Sequence, residues 1–502
     1  MRGKLSILPQ DSLTKRLGTD QLAAFLSPSR FSAYVEIANG AAELLTKDVA
    51  TLQAFAGNCA ISNTDIGNNT CVDSFIKNFG LIVFRKPVST AEVSELKTGV
   101  TTWKEIIGRI LLHPRFLFHF EREGTLVDPS GVYQLTPFEL EAKLCAVFWK
   151  SLPDLQGLRA ASSGDLQTPS GLDIEVKRIL ASPKAQDTLW IFYQQWFNTS
   201  HLPTSYDIND LNYRAFKDPL QFGQNGVKAA ALQDGKDFLN YITWTTGGKL
   251  EDIFRSPLIF TTDSNLAAAY GVTARSDSSM PPIVDQSGHY KGILTRAMIN
   301  AQNPSVNSET NHILRGVFIG TNLLGMELGT PANFADQNMA ANLVPAGAST
   351  RTEVTVKTAA SSCIGCHSTI NPPGFALAHY DTLGRYAIIE KRFSTGTDSS
   401  GASISVISAS NPIDSQSTLT LHGKSYVISD APSLVDALFN SESVYVAFAK
   451  YYFRFAFGHL EDSQGDQLMI DSIHSNLKTK SIVEVLKGIA THPDFARARA
   501  AN

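Results

Sequence analysis

Apolar residues recur at helical spacing along most of this chain, and prolines cut the runs short, so the sequence predicts many short helices. In residues 71–84, CVDSFIKNFGLIVF, one stripe carries Val72, Phe75, Ile76, Phe79, Ile82 and Val83, and Pro87 ends it. Ser89 and Glu92 have the spacing of a capping box that restarts the helix. A stronger start follows at LTPFEL. Thr136 is placed as N-cap, Pro137 as the first helical residue and Glu139 as the reciprocal cap, with Leu135 and Leu140 as a hydrophobic staple. Residues 105–116, EIIGRILLHPRF, and 484–495, EVLKGIATHPDF, share Glu, Ile, His-Pro and Phe at equal offsets. Both read as helices halted by proline, with His113 and His492 satisfying the last carbonyls rather than holding a metal.

A chain of 502 residues exceeds what one core usually holds. Module boundaries are expected near 128, 275 and 393. These give helical modules over 1–127 and 128–275, a module with a cysteine motif over 276–392, and a C-terminal module over 393–502. β signal is confined to the last of these, where SISVIS and TLTLHGKSYVIS alternate apolar and polar residues around the Gly423 turn as a half-buried hairpin, with His422 a solvated turn residue. Residues 394–401 read as a polar loop, and residues 337–352 as a flexible connection. The fold class is therefore mainly α, with a small β-hairpin region. Trp190 and Trp196, in LWIFYQQWF, read as core.

No apolar run approaches the length of a membrane span. The 43 basic and 47 acidic residues leave a net charge of -4 without a basic stripe, which argues against nucleic acid as a partner. The first residues lack an apolar segment of secretory type. Cys59 and Cys71 flank a polar stretch whose closure by a disulfide would stabilise the fold by about 3 kcal/mol in the loop-entropy picture, and such a bond favours an oxidising compartment. Cys145 lies among helix-spaced apolar residues and reads as a small buried thiol.

The remaining cysteines carry the chemistry. In SSCIGCHSTINPPGF, residues 361–375, Cys363 and Cys366 are followed at once by His367. Covalent haem attachment needs two thiols for thioethers to the vinyl groups and an imidazole for the iron, and this spacing supplies all three. A zinc site needs a fourth ligand from a second cluster, and a thioredoxin-type dithiol needs an alternating parallel-sheet context; neither pattern is present in the sequence. A structural disulfide with an incidental histidine stays open on composition alone.

The longer segment CIGCHSTINPPGFALAHYDTLGRY resembles the signature of secreted proteins built from domains of unknown function first catalogued with planctomycete cytochromes. The matching positions are Cys363 to His367, Asn371, Pro372, Gly374, Phe375, Asp381, Gly384, Arg385 and Tyr386. FRKPVSTAEV, FLFHFE, the segment opening YQLTPFELEAKL, NLAAAYGV, KGILTRAMI, LRGVFIGTNLLG and FAFGHLED resemble other parts of the family in family order. The resemblance implies one covalent haem c, with Cys363, Cys366, His367, Pro372, Phe375 and Arg385 at the cofactor, and an extracytoplasmic location. It further implies that residue 1 lies inside a longer precursor. Two positions depart from the family, Ala378 where relatives carry Glu and His459 where they carry Arg.

For the second axial ligand the first choice is His312, at an apparent helix start, with Arg315 one turn on to pair with a haem propionate. His379 and Met339 are its rivals, a vacant position would favour an enzyme, and Met326, also upstream, reads as core. The expected function is an extracytoplasmic c-type cytochrome passing single electrons to an unknown redox partner. The alternatives are a haem oxidoreductase or polysaccharide-associated enzyme, and a structural haem protein that assembles with copies of itself.

Overall fold

The computed structural model describes residues 27–66, 69–121, 123–129, 131–199, 202, 226–302, 310–328, 343–397, 399–401, 403–461 and 465–499. Met339 lies outside them. The architecture is mainly α, with small antiparallel sheets of two or three strands. No helix among the described residues is long and apolar enough to cross a membrane. The chain forms two compact units, one of Met1–Leu189, Phe453–Met469 and Leu486–Asn502, the other of Trp190–Tyr452 and Ile470–Val485.

In the first unit the stripe read from the sequence forms the helix Asn69–Val83. It buries Val72, Phe75 and Ile76 against Leu52, Trp103, Ile106 and Ile110, each apolar side chain contributing about 1.5–3 kcal/mol. Cys59 and Cys71 are joined, which ties the start of that helix to the loop after Val49–Ala56. The capping boxes at Ser89 and Thr136 both form, and Pro137 occupies the first turn of the helix Pro137–Phe148. Cys145 is fully buried in that helix.

His113 and His492 have a different role from the expected one. Each ring accepts a backbone N–H two residues on, from Arg115 and Asp494 at 3.2 Å. They are N-caps of the short turns Pro114–Leu117 and Pro493–Ala496 that follow, not partners for the carbonyls that precede. The reason is the proline. It turns the chain into a new helical start, where unpaired N–H groups need acceptors.

In the second unit Trp196 is buried among Phe192, Phe197, Phe254 and Phe448, and its indole N–H donates to the Asn322 carbonyl at 2.8 Å. Trp190 is only half-buried. The β region contains two hairpins where the sequence suggested one. Lys424–Ile428 pairs with Ser417–Leu421 around Gly423, as expected. Ser403–Pro412, which contains SISVIS, pairs instead with Ile389–Thr397. Residues 394–397, read as loop, are therefore strand. A two-stranded ribbon satisfies its backbone by pairing alone, so polar side chains do not prevent it.

Candidate functional site

The cysteine motif forms the first half of the helix Ser361–Ala376. Its second half, Ile370 to Ala376, is buried and packs on the helix His312–Phe318. Glycine makes this contact possible. A Cβ at Gly374 would strike the His312 carbonyl, and a Cβ at Gly316 would strike the Ile370 carbonyl, so the two backbones touch through a pair of glycines. Pro372 and Pro373 lie within this anchored half and remove two N–H donors from the helix ladder. The first half is differently placed. Cys363 is half-buried, Cys366 is exposed, and Ile364 between them is 47% exposed.

Cys363 and Cys366 are both free thiols. Three residues apart on a helix, they share one face. His367 is half-buried, and its Nδ1 lies 2.9 Å from Oδ1 of Asn371, one turn further along. Among the described residues no three His, Cys, Asp or Glu side chains converge as a bare metal ion requires. Two accessible sulfurs on one face and an adjacent imidazole oriented by a second residue are the donors that covalent haem attachment uses.

Of the other residues singled out in the sequence, His312, Arg315, Phe375, His379 and Arg385 each have partners of their own. The His312 ring is buried, meets Phe375 edge to face at 5.3 Å, and has Nε2 3.3 Å from the Thr310 hydroxyl. Burial and the neighbouring Arg315 charge push its pKa down to about 3, so it is a neutral imidazole, and its Nδ1 makes no well-formed hydrogen bond. Its backbone sits against Gly374, seven residues beyond His367, or roughly 10 Å along the helix axis. Phe375 itself is core, with the Arg351 guanidinium over its ring at 4.6 Å.

Arg315, expected at a propionate, is buried and donates to the carbonyls of Leu377 at 2.9 Å, Asp381 at 3.0 Å and Tyr380. It fastens the chain that leaves the thiol helix. Asp381 continues the device by accepting the N–H groups of Leu383 and Arg385 at 2.8 and 2.9 Å while its other oxygen takes the Arg385 side chain. Gly384 completes the turn with φ +78°, where its missing Cβ leaves room for the Ala297 backbone. Arg385 is thus engaged in a structural ion pair. His379 has Nδ1 2.8 Å from the Ala387 carbonyl and Nε2 3.1 Å from the Ser415 hydroxyl, so both ring nitrogens are occupied. Met326 is half-buried.

Sequence reasoning named Asn371 as part of the signature but gave it no task, and it overlooked Thr358. The signal available was the four-residue spacing of His367 and Asn371, which stacks them on one helix face.

No curated protein and no solved structure matches the chain. Residues 135–272 match the family described as PSD4, protein of unknown function (DUF1592). Residues 290–389, which contain both glycine-paired helices, the thiols, His367 and the Asp381 turn, match the family described as PSCyt3, protein of unknown function (DUF1588).

Proposed function

We propose that the protein is an extracytoplasmic c-type cytochrome that holds one covalent haem through Cys363 and Cys366, takes His367 as an axial ligand, and passes single electrons. The observation that carries this reading is the pairing of two free, accessible thiols on one helix face with an imidazole whose Nδ1 is held by Asn371. Haem, when bound, supplies the one-electron couple of its iron. The chain supplies the rest. The glycine-paired second half of the helix holds the sulfurs and His367 on a rigid element. The exposed first half leaves the sulfurs within reach of the machinery that forms thioethers. The Cys59–Cys71 disulfide supports an oxidising compartment. The cytochrome abbreviation in the name of the family matched over 290–389 points the same way.

Intact mass spectrometry of protein from a host that attaches haem tests the reading. A mass increment of one haem that survives denaturation and disappears in Cys363→Ser/Cys366→Ser is the expected result. The bare polypeptide mass with no porphyrin absorbance would remove the cytochrome function. The spectrum of His312→Ala then decides the second axial position. Loss of low-spin iron in a variant of unchanged stability assigns it to His312, whereas an unchanged low-spin spectrum excludes His312.

A further inference from the structure

We propose that Thr358 and Asn371 are positioning residues that lock His367 as its Nδ1–H tautomer, through a one-way hydrogen-bond relay that begins at the Val354 carbonyl. The polarity follows from the chemistry of each member. A carbonyl can only accept, so at 2.8 Å the Thr358 hydroxyl donates its proton to the Val354 oxygen. The Thr358 oxygen is then left as an acceptor, and the Asn371 side-chain amide donates to it at 2.9 Å. This orients the Asn371 amide, whose two ends are otherwise nearly interchangeable. Its Oδ1 therefore faces His367 Nδ1 at 2.9 Å, and only an N–H there satisfies it. Nε2 keeps its lone pair.

The relay is enclosed, with Thr358 4% and Asn371 7% exposed, so water does not readily replace a lost partner. Turning the Asn371 amide over would direct its NH2 at His367 and its carbonyl at Thr358, whose proton would have to leave the Val354 oxygen. That carbonyl would lose its side-chain bond, and the reversed relay would favour the opposite tautomer. Two elements build the device, the helix Thr350–Lys357 with its C-cap Thr358 and the helix Ser361–Ala376. The relay itself belongs to the apoprotein. Its relevance to iron rests on the haem reading above, where an acceptor on Nδ1 makes Nε2 a stronger donor and favours the oxidised metal.

The first test needs no haem. Long-range 1H–15N spectra of the full-length apoprotein with reduced thiols, at a pH about two units above the ordinary imidazole value, report the tautomer of His367, assigned by its loss in His367→Gln. The wild type is expected to show Nδ1–H in at least about tenfold excess over Nε2–H. Thr358→Val and Asn371→Leu should each bring the ratio down by about fivefold or more, and Thr358→Ser, which keeps the hydroxyl, should preserve it. A wild type dominated by Nε2–H, or a ratio that neither Thr358→Val nor Asn371→Leu moves, overturns the relay. In haem-loaded protein, Asn371→Leu should raise the midpoint potential and Asn371→Asp should lower it. Potentials unchanged in both variants would overturn the positioning role toward iron while leaving haem attachment intact. Failure of haem to attach would instead sink the cytochrome reading and leave the tautomer experiment to decide the relay.

Discussion

The helices Pro137–Phe148 and Ser361–Ala376 each carry free cysteine, and they use it in opposite ways. Pro137–Phe148 is buried along almost its whole length, including Glu139, Glu141 and Lys143. Its Cys145 thiol donates to the Glu141 carboxyl at 3.3 Å, and burial pushes the thiol far up from its ordinary pKa. Ser361–Ala376 is buried only from Ile370 onward. Its sulfurs lie in the half that stays more open, Cys363 half-buried and Cys366 exposed. A thiol is nucleophilic only as thiolate and only where a reagent can reach it, so the first environment silences sulfur and the second leaves it available. In the second helix anchorage and chemistry are separated by about one turn.

The sharpest way to break this contrast is to attack the anchored half. Gly374→Leu drives a side chain into the His312 carbonyl and should cost at least about 3 kcal/mol in urea unfolding. A stability within 1 kcal/mol of wild type would show that the thiol helix is anchored elsewhere. Next in size is the disulfide. Cys59→Ala/Cys71→Ala should lose about 3 kcal/mol, given the loop it closes, and an unchanged midpoint would mean the bond adds nothing beyond the surrounding packing.

The pH dependence of the buried helix comes third. Glu141 is fully buried, its Oε2 has no hydrogen-bond partner, and burial followed by the Glu175 charge raises its pKa from 4.5 to about 8. The folded state therefore binds this proton more tightly than the unfolded chain does. Its stabilising contribution is complete below about pH 4.5, declines as pH rises toward 8, and is lost above that. Across about pH 6 to 7.5 the decline amounts to roughly 2 kcal/mol. Glu141→Gln should flatten this part of the urea stability profile relative to wild type. Parallel profiles would show that Glu141 is not the group responsible. The smallest stability effect belongs to the open sulfurs. Cys366→Ser should change stability by less than about 0.5 kcal/mol. In native apoprotein an alkylating reagent should label Cys366 quickly and Cys145 only on unfolding; equal labelling rates would erase the contrast.

What the sequence determined by itself was local. Thr136, Pro137 and Glu139 complete a helix start within four residues, and the candidate site residues Cys363, Cys366 and His367 fall within five, so no distant contact is needed to pick out either. The Cys59–Cys71 bond was legible for the same reason, since only a short polar loop separates the partners. Tertiary structure decided which atoms were left over. Arg315 had the right chemistry for an anionic ligand, but the chain folds three carbonyls from residues 377–381 onto its guanidinium. Residues 394–397 became strand because a partner strand at 403–412 accepted and donated their backbone hydrogen bonds. Thr358 acquired its place beside Asn371 when two helices met across a short connection. Side-chain polarity and spacing are written along the chain, whereas hydrogen-bond partners separated in sequence are settled only when packing brings buried donors and acceptors together and removes the water that would otherwise serve them.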